Sequence, residues 1–194
     1  TRTAHHTDYE AAANAYARNR AVHPGVVAEL VRVAGVDPTS RVLDVGCGTG
    51  NYARALQEAT GCAMSGIDPS DQMRQRAEHA VTWTALVAGS AEALPFPDDS
   101  FDLVYSTDVI HHVGDRAAFF AEAGRVLVHG GMIATVTDSR QDIARRRPLS
   151  NYFPETVAVE IQRYPAMEAL SAEMADAGFT ETHETHVELE YPLT

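Results

Sequence analysis

Three glycines at alternate positions, Gly46, Gly48 and Gly50, end a short apolar run that begins at Arg41, and Asp44 stands two residues before the first of them. Without a Cβ the backbone can take a positive φ and approach a ligand closely, and the N–H groups of a helix starting behind the glycines favour an anion. A ligand carboxylate or phosphate is therefore expected beside this loop. Asp68 follows 18 residues after Gly50 at the end of a second apolar run, where a nucleotide-binding fold places an acid to accept from ribose hydroxyls. The pair is much more informative than either part. His111 and His112 form a second candidate centre just beyond another apolar run. They offer a general base for an acidic O–H, N–H or C–H acceptor, or else a pair packed structurally at a strand–helix junction. Adjacent helical residues point about 100° apart, so one of the two is expected to face a pocket.

The elements that must hold these residues are legible as alternating apolar runs and helical patterns. Strands are predicted at 41–45, 62–67, 81–87, 101–106, 132–137 and 182–190, and helices at 51–60, 70–79, 116–128 and 165–177. Gly61 and Gly178 are placed as C-terminal helix stops. One or two further helices over 8–33 precede the first strand. Alternation of this kind predicts an α/β fold, a Rossmann-like, doubly wound and mostly parallel sheet with helices on both faces. One domain spans 1–194, with an N-terminal helical cap over 8–35. The segment 138–164 is polar and interrupted by Pro148 and Pro154, so it is expected to be a lid or binding loop.

Composition excludes several function classes. With 27 Asp plus Glu against 15 Lys plus Arg, the net charge of −12 repels phosphate backbones, so neither nucleic acid nor an anionic membrane surface is expected as a partner. Lys is absent, and Arg supplies every fixed positive charge. No stretch approaches the roughly 20 apolar residues of a membrane span, and 1–7 hold no apolar secretory core, so a soluble, cytoplasmic protein is expected. Cys47 and Cys62 lack the density of a disulfide scaffold and are read as reduced thiols. Cys47 suits a loop that needs a small side chain better than it suits a nucleophile. His183 and His186, three apart in a predicted strand, fall on opposite faces, and no metal site is expected. His5 and His6 read as a tail. The Arg145–Arg147 run suits either a substrate carboxylate or phosphate or a solvated face.

A dinucleotide fingerprint has the form G-x-G-x-x-G, and Asn51 stands where its third glycine belongs, which counts against NAD. The string Asp44-Val-Gly46-Cys-Gly48-Thr-Gly50 instead resembles motif I of the class I S-adenosylmethionine-dependent methyltransferases. Further segments resemble that family in order: Gly66-Ile-Asp-Pro-Ser70 with Met73, the run 89–104, and Arg125-Val-Leu with Gly130-Gly131. The likeness spans roughly 9–190 and is nearest to the branch of ubiquinone and menaquinone C-methyltransferases and small-molecule methyltransferases.

The resemblance implies S-adenosylmethionine as cofactor and S-adenosylhomocysteine as product. It would put the backbone of Gly46, Cys47, Gly48 and Gly50 around the methionine part, with Asp44 helping to hold the charged amino end. Asp68 would hold the ribose hydroxyls. Pro69 and Met73 would pack on the adenine faces, Ser90, Ala91 and Glu92 along its edge, and Thr107 would close the site. Tyr16 and Arg20 resemble the cap that folds over the amino-acid end. Three departures stand out: Ser90 replaces an acid found in many relatives, His129 replaces a turn proline, and the chain ends after its sixth predicted strand where the family sheet has a seventh. That edge is expected to be covered by further chain or by another subunit. The implied function is methyl transfer to a small-molecule acceptor by a monomer or homodimer. A non-catalytic cofactor-binding protein or partner subunit, or an NAD(P) oxidoreductase, is the alternative.

Overall fold

Val42, Leu43 and Val45 are buried on alternate sides of strand β1 (Arg41–Val45), which only a strand covered on both faces can achieve. The computed structural model describes residues 22–145 and 154–187. Around β1 run β2 (Ala63–Ile67), β3 (Trp83–Val87), β4 (Phe101–Thr107) and β5 (Leu127–Val136), all parallel, in the order β3-β2-β1-β4-β5. The helices are α1 (Pro24–Ala34), α2 (Asn51–Thr60), α3 (Asp71–Ala77), α4 (Arg116–Val126), α5 (Arg140–Arg145), α6 (Pro154–Arg163) and α7 (Met167–Asp176). Strand order reverses between β1 and β4, and such a sheet opens a crevice at the carboxyl ends of those strands.

Strand alternation sorts the core into two layers. Val42, Met64, Leu103 and Tyr105 pack with Val26, Val27, Leu30 and Leu56 of α1 and α2. Leu43, Val45, Ile67 and Val104 pack on the other face with Phe119, Phe120 and Ala123 of α4 and Leu170 of α7. Each large side chain so buried contributes about 1.5–3 kcal/mol. Gly61 ends α2 in the left-handed conformation, φ 75°, where its N–H donates to the carbonyl of Gln57.

The expected architecture holds, a single parallel sheet flanked by helices, and five of the six predicted strands form. Residues 182–187 of the sixth carry no strand, and 188–190 lie outside the described residues. The predicted helix at 70–79 shortens to α3: Ser70 serves as its N-terminal cap, its hydroxyl accepting from the Met73 N–H, and Glu78 is its C-cap. The strand predicted at 132–137 starts earlier, at Leu127, and absorbs Gly130 and Gly131 at a register shift against β4. The irregular lid predicted at 138–164 is largely helical where described, as α5 and α6, and Pro154 sits in the first turn of α6, where its missing N–H is harmless. Residues 8–21 of the expected cap lie outside the described residues, and its remainder contains α1. Among the described residues no helix is long and apolar enough to cross a membrane.

Candidate functional site

The turn from β1 into α2 is built on three left-handed glycines, Gly46 (φ 71°), Gly48 (φ 54°) and Gly50 (φ 76°). Its amides are spent within the protein. The N–H groups of Gly46 and Cys47 donate to the carbonyl of Ile67 (2.8 and 3.1 Å), and that of Gly50 to Cys47 (2.9 Å). The Gly48 N–H donates to Asp68 Oδ2 at 2.9 Å. The amides of the turn thus have acceptors within the protein, and the free N–H groups at the helix start, to which the sequence reading assigns an anion, begin with the first turn of α2.

Asp68 ends β2 and is the hub of this arrangement. While Oδ2 receives Gly48, Oδ1 receives the Ser70 N–H at 2.8 Å, and Arg74 Nη1 donates to the Asp68 carbonyl at 2.6 Å. Each carboxylate oxygen keeps a second lone pair, so the group can hold the loop and still accept from two vicinal hydroxyls.

Asp44 lies deeper. It is 3% exposed, beside Tyr105 in the parallel register of β1 and β4, and Tyr105 Oη donates to its Oδ2 at 2.8 Å. Burial pushes its carboxyl up to about 7, opposed by the Tyr105 hydrogen bond and assisted by the negative charge of Asp68. A carboxyl raised in the folded state from an ordinary value near 4 favours folding while protonated. That stability is present at pH 4, is lost as pH rises toward 7, and is absent at pH 8. Asp44→Asn is therefore expected to melt at least about 3 °C above the parent chain at pH 8, with the difference vanishing near pH 4. Melting curves at the two values check this, and a gap independent of pH would contradict it.

Cys47 is also buried, and burial, then Asp44 and Asp68, push its thiol far above the ordinary range. It stays protonated, which removes the nucleophile reading. Both cysteines are free. Among the described residues no group of three or more His, Cys, Asp or Glu is placed to hold a metal ion.

A cavity of about 120 Å³ opens next to the turn, lined by Val45, Gly46, Ile67, Pro69, Gly89, Ser90, Ala91, Glu92, Val109, His112 and Val113. The predicted residues Gly46, Pro69, Ser90, Ala91, Glu92 and His112 thus meet in one place, although they come from four separate segments. Glu92 also has a fastening role. Burial works to raise its carboxyl, but N–H groups of Glu92, Gly114 and Asp115 and the Ser90 hydroxyl outweigh burial and hold it low. Its Oε1 receives the Gly114 N–H at 2.9 Å, tying the 89–92 loop to the turn that carries the histidines. Arg125 secures that loop from behind, donating to the carbonyls of Leu94 and Phe96 (both 2.8 Å) and to Glu122.

The two histidines diverge as adjacent residues should. His112 lines the cavity, whereas His111 stacks on Tyr164 with ring centroids 4.2 Å apart, and Arg140 Nε donates to the Tyr164 carbonyl. Thr107 ends β4 with its hydroxyl buried and unpartnered, as are the hydroxyls of Ser106, Thr135 and Thr137. Met73 lies in the first turns of α3, half-buried, outside the cavity lining. Tyr16, Arg20, Arg146 and Arg147 lie outside the described residues.

Sequence reasoning missed Val109, Val113 and Tyr105. Asp108 held a usable signal: it takes φ 57°, a conformation that Asp tolerates better than most residues, and so turns Val109 over the glycine loop.

Comparison with known proteins follows the same segments. A family model described as "Methyltransferase domain" matches residues 43–135. The ubiquinone/menaquinone biosynthesis C-methyltransferase of Stenotrophomonas maltophilia (strain R551-3) is 31% identical, over 84% of this chain and 74% of that protein. The demethylmenaquinone methyltransferase of Lysinibacillus sphaericus (strain C3-41) is 34% identical, over 68% of this chain and 58% of that protein. The chain spans only 28% of another relative, the sterol 24-C-methyltransferase of Schizosaccharomyces pombe, with 36% identity over 50% of its own length. Among solved structures, an S-adenosylmethionine-dependent methyltransferase from Thermotoga maritima superposes with a TM-score of 0.67 at 26% identity, covering 89% of this chain and 80% of that one.

Proposed function

The chain belongs to the class I S-adenosylmethionine-dependent methyltransferases, and from that premise we propose that it binds S-adenosylmethionine at the glycine turn and methylates a small-molecule acceptor. The observation that carries this reading is convergence: Gly46 of the turn, Pro69, the 89–92 loop and His112 border one cavity, and two buried acids, Asp44 and Asp68, stand beside the turn. Such a site suits a cofactor whose positive sulfonium and ammonium groups lie near those acids. A dinucleotide is counted against by Asn51, which stands where the third fingerprint glycine belongs.

The residues present fit the cofactor. A Cβ built on Gly48 meets nothing nearer than the Gly46 carbonyl at 4.0 Å, so the space over the turn is open. Asp68 would hold the ribose hydroxyls, Pro69 with Ala91 and Val113 would enclose the base, and Ser90 and Glu92 would lie at its polar edge. When bound, the cofactor supplies an electrophilic methyl on a sulfonium. In the transfer the acceptor's lone pair forms the new bond to that methyl as the C–S bond breaks, leaving S-adenosylhomocysteine. The protein's task is then to align the acceptor and exclude water, without a covalent intermediate on the chain.

The acceptor side lies at the carboxyl ends of β4 and β5, under Tyr164 and α5. Ser106 and Thr135 are register partners there, and with Thr137, two residues further on the same side, they leave three buried hydroxyls unpartnered. Such groups are costly to leave without hydrogen bonds, and they fit an acceptor bearing neutral oxygen or nitrogen groups. The Tyr164–His111 stack adds an aromatic wall. His112 lines the cavity that would enclose the base, so His111, stacked on Tyr164 at the acceptor side, takes the acceptor's proton where one must leave.

Thermal stability with S-adenosylhomocysteine, S-adenosylmethionine and NADH tests the cofactor. A rise with the two adenosyl ligands alone is expected, and a rise with NADH alone would overturn the reading. Transfer of labelled methyl to a panel of quinols, phenols and amines then tests the activity. With an acidic acceptor, His111→Ala should lower kcat by about 100-fold at unchanged cofactor affinity, while His112→Ala should act on cofactor affinity instead. Equal losses in both variants would remove the base assignment.

A further inference from the structure

Tyr105 has no part in the roles assigned so far, yet it is the largest wholly buried side chain in the molecule's described core. Its neighbours on the same sheet face are Val42, Leu103, Met64 and Leu56, all apolar. Phenylalanine would satisfy that packing. The hydroxyl needs a separate reason, and its one partner among the described residues is Asp44 Oδ2, 2.8 Å away across the β1–β4 pair.

Among the described residues no second group donates to the Asp44 carboxyl, and no cation lies against it. The titratable groups around it are Tyr105 on β4, Asp68 at the end of β2 and Cys47 in the turn, while Cys62 lies further along beside Tyr105. A buried carboxyl with a single neutral donor is an incomplete arrangement. One oxygen is fixed, and the other keeps its acceptor capacity, two residues before the first of the left-handed glycines.

We propose that Tyr105 is a positioning residue for cofactor binding: by anchoring Oδ2 of Asp44, it holds Oδ1 available for the ammonium group at the amino-acid end of S-adenosylmethionine, directly or through one water. This assignment rests on the cofactor reading above. The ammonium supplies a cationic partner that the described residues do not offer, and the tyrosine fixes the rotamer in advance, so no ordering is left for the moment of binding. Tyr105 is suited to a donor-only task, because burial, then Asp44, push its own hydroxyl well above the ordinary range.

The test compares two ligands on the whole chain. S-adenosylhomocysteine carries the amino-acid end, and 5′-methylthioadenosine has the same adenosine and sulfur without it. Titration calorimetry on Tyr105→Phe should show affinity for S-adenosylhomocysteine falling about tenfold and affinity for methylthioadenosine changing by less than twofold. A role in packing alone would lower both together or neither, and either result overturns the proposal. Asp44→Asn should show the same split, and adding Tyr105→Phe to it should cost nothing more, since the anchor then has no carboxylate to hold. Additive losses in that pair would also overturn it. Parent chain that binds neither ligand would refute the cofactor reading itself, and this assignment with it.

Discussion

Asp68→Ala is expected to weaken S-adenosylhomocysteine binding about 100-fold or more, measured by titration calorimetry near pH 7.5. Two contributions lead there. Hydrogen bonds from ribose hydroxyls to a carboxylate are charge-assisted, and losing one costs about 1.5–3 kcal/mol. The second contribution lies in the protein, because Oδ2 receives the Gly48 N–H and Oδ1 the Ser70 N–H. Truncation leaves both amides without an acceptor and frees the turn that must receive the cofactor. Folding stability should therefore drop as well, by about 1–3 kcal/mol. Asp68→Asn separates the two. Its single oxygen can receive one of the two amides while its NH₂ opposes the other, so the turn stays only half supported and affinity should fall nearly as far. Affinity within threefold of the parent chain in the alanine variant would refute the ribose role.

The visibility of Asp68 in the sequence and the invisibility of Tyr105 have one physical cause. Glycine at 46, 48 and 50 and an acid after the next apolar run are local chemistry, since a positive φ constrains residue type at its own position. The Tyr105–Asp44 bond joins residues 61 positions apart and exists only through the strand order β1-β4. No spacing rule announces it. Residues 182–187 failed in the opposite way: their composition suits a strand, but a strand forms only against a partner, and none is present for it among the described residues. In α6 the misleading residue was Pro154, read as a breaker although the first turn of a helix accepts it. The cavity was legible by half. Its polar and glycine members come from motifs, whereas Val109 and Val113 are ordinary apolar residues placed there by the turn after β4.

Gly46→Ala and Gly48→Ala, one alternation apart in the same turn, should fail for different reasons. Both glycines have positive φ, 71° and 54°, so each alanine meets backbone strain of about 1–2 kcal/mol. Their surroundings differ. A Cβ on Gly46 would stand 2.4 Å from Val109 Cγ2 and 3.1 Å from Cγ1, inside any tolerable contact. Relief requires Val109 to move into the cavity it lines, or the turn to pull its Gly46 and Cys47 amides off the Ile67 carbonyl. Gly46→Ala should thus lose about 3 kcal/mol of stability or more, summing strain and overpacking, and with it nearly all cofactor affinity. Gly48→Ala meets open space, so its stability loss should stop near the strain itself, while the methyl intrudes where the cofactor would lie. Melting temperature and S-adenosylhomocysteine affinity, measured on both variants, should move together at Gly46 and apart at Gly48. Val109→Ala added to Gly46→Ala removes the clash and leaves the strain, so it should restore part of the lost stability. If the double variant is no more stable than Gly46→Ala, the clash with Val109 does not explain the defect, and strain at φ 71° must carry all of it.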